Sequence, residues 1–136
     1  MARRSSDPPV LLVKWYDTTR WILDRVDSFP KNQRFIFGQR LADHAINILE
    51  LLVEATYSSE KAELLSRVNR KIEMLRWLIR LAKDRKLFTP RQYEYSCMEL
   101  AECGRMVGGW FKHASGKGVP KDAPAQAPLR AGMLVS

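Results

Sequence analysis

The residues best equipped for chemistry in this sequence are cations. From Arg67 to Lys86 the chain carries Arg67, Arg70, Lys71, Arg76, Arg80, Lys83, Arg85 and Lys86, opposed only by Glu73 and Asp84, a net of +6 in twenty residues. Solvated helix faces ordinarily mix signs, whereas unbalanced charges in so short a stretch repel one another unless an anion lies near. Arg76, Arg80 and Lys83 follow i, i+4, i+7 spacing, which sets them on one helical ridge. A second group, Arg20, Arg25, Lys31, Arg34 and Arg40, flanks a turn at Phe29-Pro30. Lys31, Arg34 and Arg40 fall near a helix start, where the dipole disfavours cations. Phosphate contact accounts for them, and so does pairing with Asp24 or Asp27 on the preceding helix. The chemistry open to both groups is polyanion binding: nucleic acid, an acidic protein face or anionic lipid. The basic helix offers no apolar face beyond what its core needs, which disfavours lipid. No base-reading signature is present, so nucleic-acid binding would be led by the phosphate backbone and fall with salt.

Catalysis has little to work with. No glycine-rich phosphate loop follows a strand, and no serine or cysteine has a credible base. His44 sits at the margin of an apolar stripe, a setting more usual for a packed imidazole than for a base. Glu50 and Glu54 are one turn apart, but their helix has no Glu-x-x-His pattern, so a di-iron site is not supported. Cys97 and Cys103 point different ways on a helix, and His44 and His113 are far apart, so neither a disulfide nor metal-ligand spacing emerges. The chain reads as a protein that is not an enzyme and uses no cofactor or metal. Its thiols fit a reducing cytosol, its early apolar run (Val10 to Val13) is too short for a signal peptide, and no stretch approaches a membrane span. A cytoplasmic protein with no membrane partner is expected.

The elements that must position these groups are helical. Residues 1–9 read as a flexible N-terminus, 10–113 as a folded unit and 114–136, rich in proline, glycine and alanine, as a disordered tail. Four apolar periods of 3.6 residues divide the middle. Leu11, Trp15, Thr18, Ile22, Val26 and Phe29 predict a helix from Val10 to Ser28. Phe37, Leu41, Ala45, Ile48, Leu52 and Ala55 predict a second from Asn32 to Tyr57. Leu64, Val68, Ile72, Leu75, Ile79 and Ala82 predict a third from Glu60 to Leu87, with Ser59 as its N-cap. "FTPRQYE" announces the fourth: Thr89 as N-cap, Pro90 at the first position and Gln92 closing a capping box. Short connections favour antiparallel neighbours, so the expected fold is all-α, an up-down-up-down antiparallel four-helix bundle.

The fourth helix ends in "GRMVGGWFK", three glycines in nine residues. Cys97, Ala101, Gly104 and Gly108 form a line of small residues, so Gly104 and Gly108 are assigned to close helix packing; a helix cap at Gly108-Gly109 is the alternative. Trp21, Trp77 and Trp110 fall off the main stripes. They are expected to be exposed, serving a subunit interface or covering a bundle edge.

Over residues 14–112 the sequence resembles the accessory variability determinant (Avd) proteins of diversity-generating retroelements. The likeness rests on the "FPKNQRF" turn, the "LIRLAKD" helix and the "GRMVGGW" end, in order across all four helices. The resemblance implies a barrel-like homopentamer that binds the element's reverse transcriptase and its template-repeat RNA, with DNA a further candidate. It implies a non-catalytic accessory role in mutagenic cDNA synthesis. Arg76, Arg80, Lys83, Arg85 and Lys86 would be the matching contacts for RNA or polymerase, with Arg34 and Arg40 further candidates and Arg67, Arg70 and Lys71 completing the basic helix. The broader family includes four-helix proteins encoded in intervening sequences of 23S ribosomal RNA genes, which share the "FP" turn. They offer the alternative of a structural oligomer or adaptor docking an acidic partner.

Overall fold

The computed structural model describes residues 7–116. Helix α1 is Asp7–Asp27. Helix α2 is assembled from Lys31–Gln33, a π-helical stretch Arg34–Gly38, and Gln39–Tyr57. Helix α3 is Lys61–Asp84 and α4 is Pro90–Ser115. Each helix packs on the next and α1 closes against α4, giving an all-helical antiparallel bundle. All the stripe residues anticipated for α1 and α3 are buried, as are those of α2 from Leu41 onward, while Phe37 is partly buried. Each fully buried Leu or Ile contributes about 1.5–3 kcal/mol.

Two polar contacts fix how α1 sits. Trp15 is fully buried, and its Nε1 donates to the Ala45 carbonyl at 3.0 Å, joining α1 to α2. Lys14 Nζ meets Glu99 Oε1 at 2.8 Å, joining α1 to α4. The contact raises the Lys14 pKa above its usual value, the Glu99 hydrogen bond outweighing burial.

The helix ends depart from expectation in instructive ways. Helix α1 begins at Asp7, upstream of Val10. Ser59 does not cap α3: Glu60 is the N-cap and has no side-chain cap bond, while its N–H donates to Ser58 Oγ at 2.8 Å. The capping box of α4 forms as read, with Gln92 N donating to Thr89 Oγ1 at 3.0 Å and Thr89 N to Gln92 Oε1 at 2.9 Å. Neither Gly108 nor Gly109 ends α4. The helix runs on to Ser115 and stops at Gly116, whose φ of 77° is left-handed. The π-helical stretch was not foreseen. It places Gly38 against α1, where an added Cβ would lie 2.8 Å from Val26 Cγ1 and 3.3 Å from the Phe29 ring. The flexible N-terminus and the tail expected at the two ends fall almost wholly outside the described residues.

Candidate nucleic-acid interface

Four aromatic rings tie the first turn to the third. Phe29 stacks on Phe37 at 6.5 Å and meets Phe88 edge-on at 6.1 Å. Phe88 in turn meets Trp21 at 5.6 Å. Phe29 and Phe88 are both buried, 3% and 2% exposed. Their contact draws two stretches some sixty residues apart to one end of the bundle. The first brings Lys31, exposed, and Arg34, half-buried, with exposed Arg40 further along the helix. The second brings Arg85, Lys86 and Arg91, all exposed. Arg34 Nη2 donates to the Phe29 carbonyl at 3.3 Å, so it braces the turn and is not held by Asp24 or Asp27. Arg25 lies over the Trp21 ring at 5.2 Å. Arg91, unmarked by any charge run, was missed in the sequence; its place just after Pro90 at a helix start puts it at this end.

Lys86 stands out among these cations. It has a φ of 63°, a left-handed conformation that costs a residue with a Cβ about 1 kcal/mol and that glycine adopts freely. The following N–H, of Leu87, reaches back to the Ala82 carbonyl at 2.8 Å and closes the helix end. A lysine therefore occupies the position where glycine would be the easier choice.

The ridge Arg76, Arg80, Lys83 is placed differently from what the sequence led us to expect. It lies in the seam between α3 and α4, and the Arg76 and Arg80 side chains are only 10% and 12% exposed. Arg76 Nε pairs with Glu73 Oε2 at 3.4 Å and Arg80 Nε with Asp84 Oδ2 at 3.8 Å. Lys83 Nζ sits over the Tyr93 ring at 5.1 Å. Burial pushes the Cys97 thiol up, with Tyr93 and Arg76 pulling the other way, and burial also pushes Tyr93 up to about 12. The reason is geometric: a ridge beside the core stripe is the part of a helix that its neighbour covers. The only two carboxylates in the basic stretch are thus engaged with the covered arginines.

Arg67 and Arg70 are exposed and Lys71 is half-buried, but they lie nearer the other end of α3. Arg70 Nη1 donates to Ser66 Oγ at 3.1 Å. Helix α2 beside them bears the acidic Asp43, Glu50 and Glu54. Burial lowers the His44 pKa, and the charges of Lys71 and Arg40 lower it further, against Asp43. So the structure gathers Arg34, Arg85 and Lys86 from the anticipated set, leaves Arg40 further along α2, where it and Lys71 both act on His44, and separates the rest.

The tryptophans also sort themselves. Trp110 is buried at 8% exposed, contrary to expectation, and Trp21 is half-buried against Phe88 and Tyr95. Trp77 is exposed at 53%, together with Met74 and Leu81 one turn either side. The basic helix therefore does present an outward apolar stripe. Gly104 is buried and Gly108 half-buried. Among the described residues no cluster of three or more His, Cys, Asp or Glu is placed to hold a metal, and no helix is long and apolar enough to cross a membrane.

The described residues thus form an all-helical bundle with cations clustered at one end, the class of small basic helical-bundle proteins. Residues 10–114 match the family model described as bAvd-like, and the chain belongs to that family of accessory variability determinants. No curated protein and no solved structure matches the chain.

Proposed function

We propose that this protein is a non-catalytic, nucleic-acid-binding accessory subunit of a retroelement reverse transcriptase. It binds the polymerase and the template RNA, self-assembles as a homopentamer and supports mutagenic cDNA synthesis in the cytoplasm. The observation that carries the reading is the convergence of Lys31, Arg85, Lys86 and Arg91 on one end of the bundle. Such a patch binds phosphates through charge and releases counterions when it does. The left-handed Lys86 supports it, because strain at a surface cation is retained where the charge serves a purpose. Family membership supports the accessory role.

The test is binding of a single-stranded RNA oligonucleotide, followed by fluorescence anisotropy across a salt series. Reversing Lys31, Arg85, Lys86 and Arg91 to glutamate should weaken binding at least tenfold. It should also flatten the log–log salt slope by about 3, at ~0.7 per phosphate contact on a single strand. Reversing Arg76, Arg80 and Lys83 should instead unfold or loosen the α3–α4 seam. Undiminished RNA binding by the folded quadruple variant would overturn the assignment.

A further inference from the structure

The π-helical corner of α2 holds an apolar run, Phe35-Ile36-Phe37, whose members face different ways. Phe37 turns inward and stacks on Phe29 with the two rings only 4° from parallel. Gly38 beside it is buried against Val26. Phe35 and Ile36 turn outward and are 64% and 72% exposed. The charge around them has one sign. Residues 28–42 hold Lys31, Arg34 and Arg40 and no acid, a net of +3. Lys31 lies about one turn before Phe35 and Arg40 about one turn after, and both are exposed. The flanking acids stand outside this stretch, Asp24 and Asp27 on α1 and Asp43 beyond Arg40. The mount is firm, because the Phe29–Phe37 stack and the Arg34 bond to the Phe29 carbonyl at 3.3 Å brace the corner from within. A ring carried on a braced segment loses little freedom when a ligand settles on it. Single π-helical turns inside helices recur at functional sites.

We infer that Phe35 is a stacking platform for an unpaired base, with Ile36 packing beside that base and Lys31 and Arg40 on the flanking phosphates. The inference rests on the nucleic-acid binding proposed above, and it names the class of strand: single, with bases free to leave their stack. Cations alone do not make that choice, since phosphates are common to single strands and duplexes. An exposed aromatic ring does. Every base has a face that can lie on phenylalanine, but a paired base must first be unstacked and unpaired, at a cost of a few kcal/mol. Rings set among cations are the usual equipment of single-strand binding, the cations tracking the backbone while the ring takes the base. The patch is too short for a lipid surface, because the apolar pair is followed at once on the outward face by Gln39, Arg40 and Asp43, all exposed. Its one-signed surroundings match a polyanion.

The test compares three probes of equal length by fluorescence anisotropy: a single-stranded RNA, the duplex it forms with its complement, and a strand of the same backbone with abasic sites. The full chain should bind the single strand more tightly than either of the others. Phe35→Ala should weaken single-strand binding by about fivefold or more, the lower end of what stacking one base contributes. It should leave duplex and abasic binding within about twofold and keep the salt slope, because no phosphate contact is lost. Phe35→Tyr should bind as the wild type does. Should Phe35→Ala misfold by circular dichroism, Phe35→Leu, which keeps apolar bulk and loses the ring, is read in its place. Single-strand affinity unchanged in the folded variant would overturn the inference and leave the pair to a protein partner, as would an equal loss on all three probes. A wild type that binds none of the probes would overturn the proposed function as well, so the two failures are told apart.

Discussion

Phe29 and Phe88 meet edge to face with ring centroids 6.1 Å apart, and both are buried. They belong to different turns, and their contact holds the two cationic stretches at one end of the molecule. Position and stability are coupled here: the groups that bury these rings also aim the charges that would meet phosphate.

Phe88→Ala removes the ring at the centre of that contact. Truncating a buried phenylalanine costs about 3–5 kcal/mol. We expect a loss of that order by urea denaturation, and a weaker RNA complex even where the variant is still fully folded. Phe88→Leu should recover most of both. Full RNA affinity in folded Phe88→Ala would show that the turns hold their places without the ring.

Lys86→Gly separates strain from charge. Glycine adopts the observed φ of 63° freely, so the variant should gain about 0.5–1 kcal/mol by thermal or urea denaturation. The same change removes a cation from the patch and should reduce the salt slope for RNA by ~0.7. A stabilised protein that binds less well is the expected pairing. A destabilised one would mean that the lysine side chain packs where it stands.

The glycines give opposite outcomes at two positions. Gly38→Ala places a Cβ 2.8 Å from Val26 Cγ1, on a stiff β-branched side chain that cannot swing aside. It should cost about 1–3 kcal/mol, and Val26→Ala in the same chain should return part of that. Gly109→Ala meets nothing within 4 Å and lies inside a helix, so it should stabilise by about 0.5–1 kcal/mol. Both are read from denaturation midpoints.

His44 gives a pH signature. Its folded-state pKa is lowered from 6.5, chiefly by burial and then by Lys71 and Arg40. The folded protein therefore favours the neutral ring. Its contribution to stability is complete above 6.5 and is lost as pH falls through that value toward the lower folded pKa. NMR titration of the imidazole should show a midpoint below 6.5, and Lys71→Gln should move it upward. A midpoint at or above 6.5 would contradict the geometry around Arg40 and Lys71.

Much of the architecture was legible because periodicity reports burial directly. Leu64 to Ala82 and Leu11 to Phe29 were readable as core stripes, and Thr89-Pro90 with Gln92 announced the start of α4. What failed was information that lives between helices. The spacing of Arg76, Arg80 and Lys83 marks a ridge but does not tell whether the next helix covers it; here α4 does. Trp110 lies off the principal stripe yet is buried at 8% exposed, because in a bundle a helix also touches neighbours at its flanks. The joining of Lys31 and Arg34 to Arg85 and Lys86 depends on Phe29 finding Phe88, and no local pattern encodes that pairing. Nor does sequence carry a mark for a π-helical turn, which arises where the chain holds one residue more than α-helical spacing needs.

That surplus residue has a mechanical meaning. A π-helical turn from Arg34 to Gly38 takes up the mismatch between the Phe29-Pro30 corner and the helix that follows. From Gln39 onward the helix keeps Leu41, Ala45, Ile48, Leu52 and Ala55 on its core side. The segment acts as a slip joint: one widened turn lets the corner pack Phe37 on Phe29 and Gly38 on Val26 without rotating the core stripe of the helix that follows.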